Sequence, residues 1–277
     1  NKRNYFKRDF EVILVTDKEG ELGLKTYRAK SGRGALQIWR LHQKLKEAIK
    51  KEKPDIVHVH YVSKYGWPTL GCKIKRLVCT IWGSDIRLSK GVIQKTLTNR
   101  GLKKALVVTS DSENIINSVK KGVHINFGVD TKRFTRKKKL GSTSLIYTRG
   151  FKEIYDVGTL MRAIEILNKK GKNIEATLCG GGYESTKKEW GHIKGLRFVG
   201  KVPPGEMEKY YENAGIYVST SKYDAGISAG TAEAMAMELP VIVSDVCENK
   251  SWIENGKNGL LFEYGNEKDL SKKIEYL

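Results

Sequence analysis

Several common signals are missing from this sequence, and each absence narrows the reading. No apolar run approaches the length of a membrane span, and no signal-peptide pattern opens the chain. The four cysteines (Cys72, Cys79, Cys179 and Cys247) form no CxxC pair, and three lie in or beside strand-like segments. They read as free structural thiols of a reducing cytosol rather than as disulfide, metal or redox groups. There is no internal repeat and no low-complexity tract. GxGxxG does not follow the first visible strand, and GxxxxGK[ST] and GxSxG are absent, so the familiar dinucleotide, P-loop and serine-hydrolase signatures do not apply. His58 and His60 alternate along a strand in HVHY and are expected on opposite faces, which argues against a two-histidine metal site. The chain begins at Asn1 rather than Met and runs into a basic stretch, so the natural N-terminus is expected upstream.

What is present describes a charged protein of two domains. The chain has 277 residues, 39% hydrophobic and 30% charged, enough for one or two good cores. Its Lys/Glu-rich surface also fits a thermophile. The net charge of +20 is uneven. Residues 1–141 carry 33 Lys and Arg against 12 Asp and Glu, a net of +21, whereas residues 142–277 carry 18 against 19. Such a field suits an anionic partner such as membrane headgroups, and it also suits a merely solubilising surface. Nucleic acid is not expected, because interleaved aromatics are few (Tyr61, Tyr65, Trp67) and no nucleic-acid fold is recognisable.

Strand and helix patterns alternate. FEVILVT (10–16) reads as a strand, and 36–53 as an amphipathic helix with Leu41, Leu45 and Ile49 on one face. DIVHVHY, RLVCTIW and ALVVTS are further strands. A basic link, TRKKKLGSTS, then leads to a second series: LIYTRG, a helix, IEATLCGGG, LRFVGKV, a helix, IYVSTS and VIVS. The expectation is an α/β protein of two Rossmann-like domains, 1–141 and 142–277, with parallel sheets facing a central cleft and ligands on loops at the carboxyl ends of strands.

Three such loops in the second half are candidates for a phosphorylated ligand. Arg149 in YTRG could clamp a diphosphate, or it could be a surface arginine in an ion pair. Gly180, Gly181 and Gly182 allow close backbone approach, or simply turn the chain. SKYDAGISAGTAEAMAMELPVIVSD (221–245) reads as a helix carrying Ala232, Met235, Ala236 and Leu239, stopped by Pro240, then a buried strand at 241–244. Ser228 is its expected N-cap, and the amides there form an anion site. Glu233, about a turn and a half in, could accept hydrogen bonds from ribose hydroxyls, or be an ordinary solvated glutamate.

In order along the chain, KPDIVHVHY, WGSDI, FGVDTKRF, LCGGGYE, RFVGKVP and TAEAMAMELPVIVSD…NGLLF resemble the retaining glycosyltransferases of family 4. The resemblance runs from about Phe10 to Leu277 and implies the GT-B fold. It implies that Arg149 holds the donor diphosphate and Glu233 the nucleotide ribose. Gly226, Ile227 and Ser228 would lie against the donor sugar and phosphates. Val199 and Lys201 would line the base pocket, Gly181 would belong to the donor loops, and Trp82, Gly83 and Asp85 to the acceptor side. The family works without a metal, and no DxD-like metal motif stands here. The implied donor is a nucleoside diphosphate sugar, a substrate rather than a cofactor, and many of the family's acceptors are lipid-linked. That would give the basic half a reason and place the protein in the cytoplasm, peripheral at the inner membrane face.

The chain departs from the pattern in four places. Ala225 stands where the family has its first acid, with Asp224 beside it. The lysine that follows the arginine is missing, with Lys152 as a substitute. Trp82 occupies the place of a cleft histidine. The usual first strand and Gly-rich loop, and the C-terminal helices that return to the first domain, are not seen, so truncation is expected at both ends. The expected activity is hexosyl transfer from a nucleoside diphosphate sugar to a hydroxyl acceptor, catalysed through Arg149, Asp224 and Glu233. A nucleotide-sugar epimerase or a phosphorylase on the same fold, or a non-enzymatic anion-binding protein, are the alternatives.

Overall fold

The computed structural model describes residues 10–19, 23–87, 91–119, 122–139, 141, 143–203, 205–246 and 248–277, so Cys247 lies outside the described residues. The chain divides into two compact units, Asn1–Asn126 and Phe127–Leu277. Among the described residues no helix is long and apolar enough to cross a membrane.

In the first unit β1 (Ile13–Thr16) and β2 (Lys25–Arg28) form a two-stranded parallel sheet. The helix α1 (Gly34–Glu52) follows, with Gln37, Leu41, Leu45 and Ala48 buried and Lys50 and Lys51 in its last turn, where cations suit the helix dipole. A four-stranded parallel sheet in sequence order contains β3 (Val57–His60), β4 (Leu77–Thr80), β5 (Val107–Ser110) and β6 (Gly122–His124). Its connections carry α2 (Ser84–Arg87), α3 (Val92–Lys104) and α4 (Glu113–Asn117). A cavity of about 300 Å³ is lined by Ile13, Val15, Leu41, Leu45, Val57 and Val59, from β1, α1 and β3.

The second unit has one six-stranded parallel sheet. Its strands are β7 (Leu145–Tyr147), β8 (Ala176–Cys179), β9 (Leu196–Gly200), β10 (Ile216–Ser219), β11 (Val241–Ser244) and β12 (Leu260–Phe262). They lie in the order β12-β11-β10-β7-β8-β9. The chain thus starts at the centre, builds outward one way, and returns to β7's other side with β10. This reversal is the switch point, where loops leaving the carboxyl ends of β7 and β10 diverge and open a ligand crevice.

The helices are α5 (Val157–Lys169), α6 (Glu184–Trp190), α7 (Met207–Glu212), α8 (Ala229–Ala236), α9 (Asn249–Trp252) and α10 (Glu267–Tyr276). They cover the sheet on both faces, so β10 and β11 are buried at every position. Leu160, Met161, Ile164, Leu167, Leu270 and Ile274 pack on one face with Leu178 and Val218. Tyr211, Ala234, Met237 and Leu239 pack on the other with Ile146, Tyr217 and Val243.

Three expectations change. The division falls at Asn126/Phe127 rather than between 141 and 142. Phe134 is buried against the second unit's core, and Arg133 forms a forked ion pair with Glu208. Arg136 donates to the carbonyls of Glu212, Ala214 and Met237, capping the C-terminal ends of α7 and α8. Pro240 does not end α8, which stops at Ala236; Glu238 turns left-handed (φ 58°) and Leu239 N–H bonds the Ala234 carbonyl at 3.0 Å. Finally, His58 and His60 share one face of β3, with ring centroids 4.2 Å apart. Residues two apart on a strand point the same way.

Candidate active site

Of the expected site residues of the second unit, Arg149 and Asp224 meet at the switch point. Arg149 leaves β7 two residues past its end, and Ser221 and Asp224 leave β10. Arg149 Nε donates to Ser221 Oγ at 3.0 Å and Nη2 to Asp224 Oδ1. Its guanidinium lies over the Tyr155 ring, 4.7 Å from the centroid. The side chains are only 17% and 6% exposed, so this is a buried pair rather than a surface one. Burial alone would lower the guanidinium's pKa; Asp224 and the phenols of Tyr217, Tyr155 and Tyr147 outweigh it and hold Arg149 above the usual arginine range. Burial pushes the Asp224 carboxyl upward, and Arg149, Ser221 and Asn249 pull against that. The loop is tied down further: Ser244 Oγ donates to the Ser221 carbonyl at 2.6 Å, and Lys222 N–H to the Ile154 carbonyl at 2.8 Å.

Ser228 caps α8 as its residue type predicts, accepting from Thr231 N–H at 3.2 Å. Gly226, buried, and Ile227, half-buried, form the approach to that helix start. Glu233 is half-buried rather than solvated, and Tyr211 O–H donates to its Oε2 at 3.0 Å. Asp224 reaches Arg149, while Ala225 beside it is half-buried and brings no acid.

Gly180 directly follows β8 at φ 146°, and a Cβ there would stand 2.6 Å from the Arg149 carbonyl oxygen. Only glycine lets β8 close on the arginine's own backbone. Gly181 has a single near neighbour for such a Cβ, Lys201, at 3.9 Å. Val199 is half-buried on β9 and Lys201 exposed just beyond it; Lys152 is exposed on the loop after Arg149. Tyr183 stacks on Phe198 with centroids 5.8 Å apart, and Phe151 packs edge-on to Tyr183.

In the first unit Trp82 and Gly83 lie in the turn from β4 into α2, and Asp85 stands in the first turn of α2. Asp85 is buried, accepting from Trp82 N–H at 3.1 Å and Val62 N–H at 2.8 Å. Burial raises its pKa against these backbone bonds, so it acts as a clamp between two loops. Gly83 takes the left-handed φ of 88° that the turn needs. Trp82 is 47% exposed, with its ring 5.9 Å from His60. His58 accepts or donates at Thr80 Oγ1, 2.7 Å away, and burial together with the His60 neighbour lowers its pKa to about 4. Among the described residues, no group of three or more His, Cys, Asp or Glu is placed to hold a metal ion.

Sequence reasoning missed Ser221, Tyr155, Tyr211 and Thr148. Only Ser221 had a visible signal, as the last residue of IYVSTS at a strand end. Cys72, Cys79 and Cys179 are buried free thiols.

The family model described as glycosyl transferases group 1 matches residues 129–277, and one described as glycosyl transferase 4-like matches residues 4–112. TuaC of Bacillus subtilis (strain 168), named as a teichuronic acid biosynthesis glycosyltransferase, is 26% identical over 88% of this chain and 68% of its own length. Spore coat protein SA of the same organism is 31% identical, over 30% of this chain and 22% of its own. Sucrose-phosphate synthase from Thermosynechococcus elongatus matches in fold with a TM-score of 0.82 at 17% identity, covering 98% of this chain and 80% of that one. Anabaena HepE, solved with UDP and glucose, gives 0.79 at 14% identity over 99% and 84%. These neighbours are GT-B proteins, and the same α/β class with parallel sheets in two Rossmann-like units holds here. The chain belongs to the group 1 glycosyl transferases.

Proposed function

We propose that this glycosyltransferase is retaining and moves a hexosyl unit from a nucleoside diphosphate sugar to a hydroxyl acceptor, without a metal. The observation that carries the reading is Arg149, held at the switch point by Ser221 and Asp224. In the reaction the bond from the anomeric carbon to the diphosphate breaks and one to the acceptor oxygen forms. The acceptor's proton passes to the departing phosphate oxygen, and attack occurs on the face the diphosphate leaves. Negative charge grows on the diphosphate as this happens. Arg149 and the backbone amides at the start of α8 supply fixed positive charge there at no reorganisation cost. Glu233 accepts from the ribose, Gly226 to Ser228 lie along the phosphates and sugar, and Val199 and Lys201 border the base. Asp224 keeps Arg149 oriented before the donor arrives.

Uridine is the first base to test, because HepE, a fold neighbour, was solved with UDP. The acceptor is proposed to be lipid-linked and reached at the inner membrane face, with the basic first half against anionic headgroups. The test is to incubate the protein with UDP-, GDP- and ADP-sugars, with and without lipid-linked acceptors, and determine the anomeric configuration of the product. Transfer with retention supports the reading. An inverted product, or a sugar altered by the protein with donor alone, overturns it, the latter in favour of an epimerase.

A further inference from the structure

Tyr211, on α7, is fully buried, and its ring lies edge-on to Phe134 with centroids 6.0 Å apart. Its hydroxyl stands among three acceptors: Glu233 Oε2 at 3.0 Å, Thr148 Oγ1 at 3.3 Å and the Gly230 carbonyl at 3.3 Å. A phenol has one hydrogen bond to donate. The carboxylate is both the nearest acceptor and the charged one, so it accepts that bond. Burial holds the phenol's pKa far above neutrality and keeps it a donor. Tyr217 is equally buried with its ring 6.4 Å away, yet its hydroxyl has no hydrogen-bond partner among the described residues. Of this adjacent pair, Tyr211 is the one whose hydroxyl reaches Glu233.

The surroundings are arranged around that contact. Gly230 and Glu233 are three residues apart on α8 and present one face to Tyr211. A Cβ on Gly230 would stand 2.8 Å from the Tyr217 hydroxyl and collide with Thr148 Oγ1, so the first turn of α8 sits directly on these hydroxyls. Thr148 adjoins Arg149, so the same phenol lies between the arginine loop and the acid's helix. A glutamate left to rotate would lose its rotamer freedom on binding a ligand; one already anchored through Oε2 has lost it on folding.

We propose that Tyr211 is a positioning residue that orients the Glu233 carboxylate toward the donor ribose and so sets the preference for ribo- over deoxyribonucleotides. This rests on the reading of Glu233 as the ribose-binding acid. The phenol acts through Glu233 and does not touch the donor itself.

The test is calorimetric titration of the whole chain with UDP, GDP and ADP, then with the 2′- and 3′-deoxy forms of whichever binds tightest. Wild type should favour the ribonucleotide by about tenfold, the scale of one hydrogen bond to a charged group. In Tyr211→Phe, which keeps the ring against Phe134, that preference should shrink to about twofold while affinity for the deoxy forms stays unchanged. Glu233→Asp withdraws the carboxylate from the phenol without touching the α7 core, and it should lose the preference in the same way. It serves as the second variant should Tyr211→Phe melt below the assay temperature. A full ribose preference in either folded variant overturns the positioning role, as does an equal weakening of ribo and deoxy forms, which would make Tyr211 merely structural. Glu233→Ala separates the two readings. If it keeps the preference, the ribose role of Glu233 is wrong; if it loses the preference while Tyr211→Phe retains it, only the inference about Tyr211 fails.

Discussion

Arg149 and Asp224 are 75 residues apart in sequence and form one buried ion pair, each leaving a central strand of the same sheet at its carboxyl end. Adjacency of β7 and β10 brings them together. Removing one member strands the other's charge in a site too dry to solvate it.

Asp224→Asn is therefore expected to lower the unfolding free energy by about 3 kcal/mol, whereas Arg149→Met combined with Asp224→Leu should recover most of that loss. Urea unfolding followed by circular dichroism reads both. A loss under about 0.5 kcal/mol for the single variant would mean that solvent reaches the pair.

The placement of the boundary makes a second prediction. Phe134 is 4% exposed within the second unit's core, so Phe134→Ala should cost about 3 kcal/mol. Ile125 is 49% exposed on the other side of the boundary, and Ile125→Ala should stay within about 0.5 kcal/mol. Equal effects in denaturant titrations would contradict the division at Asn126/Phe127.

The histidine pair predicts a pH response. The folded pKa of His58 is about 4 against an ordinary 6.5, first through burial and then through His60. The folded state therefore binds fewer protons than the unfolded one between these values. The contribution to stability is complete above pH 6.5 and is lost as pH falls through 4. Melting temperatures should fall more steeply over that window for wild type than for His58→Gln; parallel curves would show that the ring is already solvated.

Much of this was legible in the sequence where local chemistry dominates. VIVS could be read as a buried strand because its residues are apolar or small and uncharged, and Ser228 as a cap because only its type suits that turn. The Arg149–Asp224 contact was not legible, since it depends on which strands become neighbours, and that is decided by crossovers rather than by either loop. The basic link was misread for a related reason. Lys-rich composition signals solvent, yet Arg136 within it is engaged by helix-end carbonyls, and the backbone N–H groups of Lys137 and Lys138 donate to Glu212. Tyr211 carried no signal, because KYY on a short helix looks like any packing aromatic until its hydroxyl is placed against Glu233.

The central claim is that Arg149 stabilises the departing diphosphate, and turnover of Arg149→Lys against wild type, at saturating donor and acceptor, tests it most directly. Lysine keeps the charge but loses the forked geometry that Ser221 and Asp224 hold in place. The account predicts that kcat falls by about 10²- to 10³-fold, with a donor KM changed far less. A kcat within about twofold of wild type would contradict it.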